Sequence, residues 1–227
     1  MQTVKKIGRG YIRGYILGYI LIVLLGLLLS GCGGKAEPEF VPPTRRPAPP
    51  TLQPAAEPKV MIERAIDAEF AETTERMHMT VSKNGNLLEM DLDFVAPDRY
   101  YMNLQGIELI VIGSQGYAKV DGKWHADPNS GAKLDENLND IVRDSIQVLD
   151  AEFIEQVTYK GEATHVYTFR MTWTDNQGEK ISEGKMWLRV ADGLPVKSEE
   201  NLFLGDLRYH LNYQLEYGLD LKIEPPI

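Results

Sequence analysis

The chain has 227 residues, 24 basic and 33 acidic for a net charge of −9, with 43 % apolar residues, 13 prolines and one cysteine. A single thiol excludes a disulfide framework, a zinc finger and a CxxC redox pair, each of which needs at least two. The acidic excess has the wrong sign for a protein that binds by neutralising phosphates, so no nucleic-acid partner is expected.

The N-terminus carries Lys5, Lys6, Arg9 and Arg13 without an acid, then an apolar run to Leu29, then Ser30-Gly31-Cys32. A basic head, an apolar body and a small-residue exit make up the layout of a signal peptide. The uncharged stretch from Gly14 to Leu29 is 16 residues long, short of the roughly 18–20 that a bilayer-spanning helix needs. Its last four residues, Leu29-Ser30-Gly31-Cys32, resemble a bacterial lipobox. The resemblance implies cleavage after Gly31 and a diacylglyceryl thioether on Cys32, which is then the lipid-attachment site and the mature N-terminus. Two or three acyl chains hold a protein stably at a bilayer. The expected location is therefore extracytoplasmic, lipid-anchored at a cell membrane or outer membrane, and Gly33 leaves the choice between them open.

Residues 33–59 hold eight of the 13 prolines among Ala, Glu, Thr and Arg, with no apolar periodicity. Such a segment cannot form a core and reads as a semi-rigid tether. The expected organisation is a signal peptide over 1–31, the lipidated Cys32 and tether over 32–59, and one folded domain over 60–227. Because all four charges of the signal are basic, the mature chain has 20 bases against 33 acids, a net charge of −13.

Within the domain, residues 60–70 give a short helix with Ile62, Ala65, Ile66 and Phe70 on one side. Period-two alternation follows. Leu88, Met90, Leu92 and Phe94 alternate with acids; His165, Tyr167, Phe169, Met171 and Trp173 alternate with Val166, Thr168, Arg170 and Thr172; Leu207, Tyr209, Leu211, Tyr213, Leu215 and Tyr217 alternate with polar residues. These are strands with one wet face. Shorter strands are predicted at 77–81, 99–104, 108–112, 116–120, 152–159, 181–190 and 195–203, separated by Gly, Asn and Asp turn signals. Residues 134–149 read as an amphipathic helix, with Leu134, Leu138, Ile141, Val142, Ile146 and Leu149 on its apolar side. The prediction is an α+β domain: an antiparallel sheet of about ten strands, its apolar face covered by two helices.

Three stretches carry a family resemblance: Ala96-Pro97-Asp98-Arg99-Tyr100, the run from Val111 to Trp124 around Gly113 and Gly116, and Trp187 to Lys197 around Asp192-Gly193-Leu194-Pro195. Together they resemble the LolA/LolB superfamily, and within it the LppX/LprG-type lipoproteins. The resemblance implies a strongly curved half-barrel whose concave apolar face, closed by helices, holds acyl chains. On that reading Leu88, Met90, Leu92, Phe94, Tyr167, Phe169, Met171, Tyr209, Leu211 and Tyr213 are the expected cavity lining, and the partners are lipid or acyl chains, the membrane through Cys32, and another envelope protein.

No catalytic role is expected. His78, His125, His165 and His210 show no metal-binding spacing, Ser114 lacks the GxSxG elbow, and the acids from Asp135 to Asp144 do not fit a calcium loop. No cofactor or metal is expected. The functional reading is a carrier of envelope lipids, with a sensory or scaffold lipoprotein of the same fold as the alternative.

Overall fold

The computed structural model describes residues 56–127, 145–175 and 178–226. The chain enters through helix α1, Pro58–Ala71. Proline at the first helical turn loses no hydrogen bond and presets φ. Ile62, Ala65, Ile66, Glu69 and Phe70 are its buried residues, one stripe at i, i+3, i+4 and i+7.

Eleven strands follow: β1 (Thr74–Lys83), β2 (Asn86–Val95), β3 (Arg99–Leu104), β4 (Ile107–Ile112), β5 (Gln115–Val120), β6 (Lys123–Asp127), β7 (Gln147–Tyr159), β8 (Glu162–Asp175), β9 (Gly178–Arg189), β10 (Pro195–Leu204) and β11 (Leu207–Tyr217). They form one open antiparallel sheet in the order β6-β5-β4-β3-β2-β1-β11-β10-β9-β8-β7. Two meanders, β1–β6 and β7–β11, are thus joined edge to edge where β1 pairs with β11. Tight turns link neighbours. At Asn84-Gly85 and Asp121-Gly122 both residues have positive φ, the conformation whose twist matches that of the flanking strands.

The two faces differ as the alternation requires. The outer face pairs charges across strands, with Arg76 on Asp93 at 2.7 Å and His78 on Asp91 at 2.7 Å. Exposed pairs of this kind contribute about 1 kcal/mol or less each. The inner face is apolar, and α1 lies on it against β7, β8 and β10, its Ile62, Ile66 and Phe70 joining the same core as the strands. Six of the eight methionines are buried, at 77, 79, 90, 102, 171 and 186.

Two expectations change. The sheet has eleven strands where about ten were predicted; the unpredicted one is the five-residue edge strand β6. The helix predicted over 134–149 does not reach its C-terminal limit, since residues 147–149 already belong to β7, where Val148 pairs with Met171. Edge pairing with β8 satisfies that backbone, and the remainder of the predicted helix falls largely outside the described residues. One helix, α1, covers the inner face among the described residues.

Candidate ligand-binding face

Register fixes which side chains share the inner face. One row across the sheet reads Leu104, Met90, Met79, Tyr213, Ser198, Met186, Tyr167, Phe153. The next reads Leu88, Val81, Leu211, Glu200, Gly184, Phe169, Ala151. All ten residues expected to line a cavity stand on this face, and all ten are buried. Cys32 lies outside the described residues.

On β1 to β3 the buried residues of this face are Met, Leu, Val, Phe and Tyr, except at Glu75 at the start of β1. The second is interrupted by polar groups on β9 and β10. Ser182 Oγ donates to Glu200 Oε2, and Ser198 Oγ donates to the Lys185 carbonyl at 3.1 Å. Lys180, opposite Trp173, is buried as well. Gly184 is obligatory: a Cβ there would stand 2.1 Å from the Glu199 carbonyl and 2.6 Å from Glu200 Cα, so any side chain would force β9 and β10 apart.

Sequence reasoning missed the three carboxyls of this interior: Glu69 on α1, Glu75 on β1 and Glu200 on β10, each no more than 3 % exposed. Burial pushes the Glu200 carboxyl up to about 7, against the opposing pull of hydrogen bonds from the Ser182 and Tyr213 hydroxyls. Burial also drives Glu69 well above the usual carboxylate range, and the charges of Glu75 and Glu200 add to the effect. Both Glu69 carboxyl oxygens lack a hydrogen-bond partner among the described residues, so its neutral form is the one this interior tolerates. Their phase carried the signal: Glu69 falls three residues after Ile66 on the helix stripe, and Glu75 and Glu200 fall on inward strand positions.

Farther along β8, the Tyr167 hydroxyl and Trp173 Nε1 are buried without a partner among the described residues. Burial alone raises the Tyr167 phenol to about 12, and its ring stacks edge-on against Phe153 at 5.5 Å. The face therefore offers a wide apolar surface with a few unsatisfied polar points. Among the described residues no group of three or more His, Cys, Asp or Glu is placed to hold a metal ion, and no helix is long and apolar enough to cross a membrane.

Several solved structures are similar to this chain at low identity. The lipoprotein LppX of Mycobacterium tuberculosis is similar at 10 % identity and a TM-score of 0.49, over 73 % of this chain and 97 % of that one. LprF of Mycobacterium bovis is similar at 13 % identity and a TM-score of 0.49, over 74 % of this chain and 96 % of that one. MucB from the MucA/MucB complex of Pseudomonas aeruginosa follows at 16 % identity and a TM-score of 0.37, over 72 % of this chain and 58 % of that one. No protein-family model and no curated protein matches the chain.

Proposed function

We propose that this protein is a membrane-anchored, extracytoplasmic lipoprotein that holds acyl chains of lipids or lipoproteins against the inner face of a half-barrel. The observation that carries the reading is the continuous inner face itself. Rows of buried apolar side chains run across strands of both meanders, with six methionines among them and a single described helix over them. Methionine is unbranched and adapts to irregular apolar shapes, so such a lining can part around a flexible chain and close after it leaves. The driving force is removal of hydrocarbon from water, about 0.8 kcal/mol per methylene, and no bond is made or broken. On this reading Cys32 supplies the anchor, residues 33–57, up to the start of α1, the tether, and the ten inner-face residues named from the sequence the lining.

The test is to purify the full chain from cells, extract it with organic solvent and weigh the extract by mass spectrometry. Lipid at about one molecule per chain supports the carrier reading. A lipid-free protein that also takes up none on titration overturns it and favours the sensory or scaffold alternative.

A further inference from the structure

The two ends of the sheet are finished differently. At the end where β1 begins, the inward residues Glu75, Phe94, Tyr100 and Val111 are buried. The segment after β11 is fastened there, Arg99 Nη1 donating to the Ile223 carbonyl at 2.6 Å and Ile223 itself being buried. The opposite end holds the β8–β9 turn and, on from it in the sheet order, the β10–β11, β1–β2, β3–β4 and β5–β6 turns. Each of these last four hairpins carries an exposed aliphatic side chain beside its turn: Leu207 at 45 % exposure, Leu87 at 57 %, Ile107 at 52 % and Val120 at 54 %. Of the seven large exposed apolar residues described, only Val190 lies by a turn of the other end.

Single exposed apolar residues need no explanation, but these four form a line. In the sheet order their hairpins are consecutive, and at about 4.8 Å per strand the tips stand about 10 Å apart. Ile107 pairs with Leu104 and Leu207 with Leu204, while Val120 follows Ala118 in phase on β5. All three occupy inward positions, so at this end the apolar inner face runs out into solvent; Leu87 stands on the other face. Cations outnumber acids along the line, with Lys83, Lys123 and Arg208 against Asp121 and Asp206 in the turns. Lys83 donates to the Tyr209 hydroxyl at 3.2 Å and Arg208 to Asn201 Oδ1 at 3.1 Å, neutral partners that leave the positive charge uncompensated by those bonds, and Lys123 follows the β5–β6 turn.

We propose that this end is the mouth of the apolar interior and that it docks on a phospholipid bilayer, the four hairpin tips entering the interface and the cations meeting lipid phosphates. Separate tips on separate turns suit a deformable surface, whereas a folded partner would need a joined patch to pack against. The upstream chain points the same way. Its apolar run and Cys32 address it to a membrane, and the 25 residues between Cys32 and α1, at about 3.1 Å each, reach about 80 Å. Strands of 10 to 14 residues measure about 33–46 Å, so the tether lets either end of the domain face the bilayer. The proposal rests on the anchored-lipoprotein reading.

The test places one added cysteine at Ile107, Leu207 or Val190 of the full processed chain, couples an environment-sensitive fluorophore to it, and uses vesicles of phosphatidylethanolamine and phosphatidylglycerol with a nitroxide on the acyl chain. The parent chain, whose sole thiol is Cys32, takes no label if that thiol is acylated. If it does take label, the anchoring reading fails separately, and the tips are then read in a Cys32→Ser background. Docking predicts a blue shift and quenching of most of the emission at 107 and 207, little at 190, and loss of the quenching at 207 when Ile107→Asp is added. Equal quenching at all three positions, or none at any, overturns it.

Discussion

Two neighbouring regions of the sheet build one inner face from different materials. On β1 to β3 and β11 that face is methionine, leucine, valine, phenylalanine and tyrosine, with Glu75 alone at one end; on β9 and β10 it is crossed by Ser182, Gly184, Ser198 and Glu200. The first region is stabilised by volume and area, and it tolerates exchange of one apolar side chain for another of similar size. The second depends on close backbone approach and on keeping a carboxyl neutral. The difference teaches where the fold is plastic and where it is exacting, and a binding face needs the plastic part to be the lining.

Substitutions sharpen the contrast. Phe94→Ala in the apolar region leaves a void beside Tyr100, whose ring centroid is 5.0 Å away, and is expected to cost about 3–5 kcal/mol in denaturant unfolding. Gly184→Ala in the polar region adds one methyl and is expected to cost about 3 kcal/mol, at the upper end for overpacking, because the atoms it meets are backbone. Finding Gly184→Ala harmless would break the comparison.

Glu200 gives the polar region a pH dependence. Its carboxyl sits at about 7 in the fold against an ordinary 4.5, so between those values the folded state holds a proton that the unfolded state has released. Stability from this group is fully present below about pH 4.5 and is lost as pH rises through about 7, roughly 3 kcal/mol in all. Glu69, raised by burial and by the charges of Glu75 and Glu200, acts with the same sign. Glu200→Gln is expected to flatten much of that slope in unfolding curves taken from pH 4.5 to 8. The smallest effect belongs to the outer face, where Arg76→Ala, which removes the pair with Asp93, should cost less than about 1 kcal/mol.

Legibility followed the same division. Strands β2 and β11 were readable because one face is wet and the other dry, so alternation survives along their whole length. β7 was readable only over 152–159: the register shift at Val148/Asp150 breaks the period of two in its first residues. The segment 134–149, read as a helix, therefore ran on into strand. β6 is too short to show a pattern. The ten inner-face residues were legible from period-two alternation. Glu69, Glu75 and Glu200 were passed over because a charged residue at a core phase is by default assigned to the surface; only the structure shows that the phase was right and the default wrong.

The central claim is that acyl chains lie against the inner face, and tryptophan reports on it most directly. Trp173 is buried on that face, opposite Lys180, whereas Trp187 stands on the outer face with Lys197 Nζ 4.4 Å from its ring centroid and Trp124 lies on edge strand β6. In a Trp124→Phe, Trp187→Phe form of the full chain, a phospholipid brominated along its acyl chains should quench Trp173 in a saturable way, and unbrominated lipid should reverse it. Unchanged Trp173 emission while the brominated lipid is demonstrably bound would place the ligand elsewhere and contradict the account.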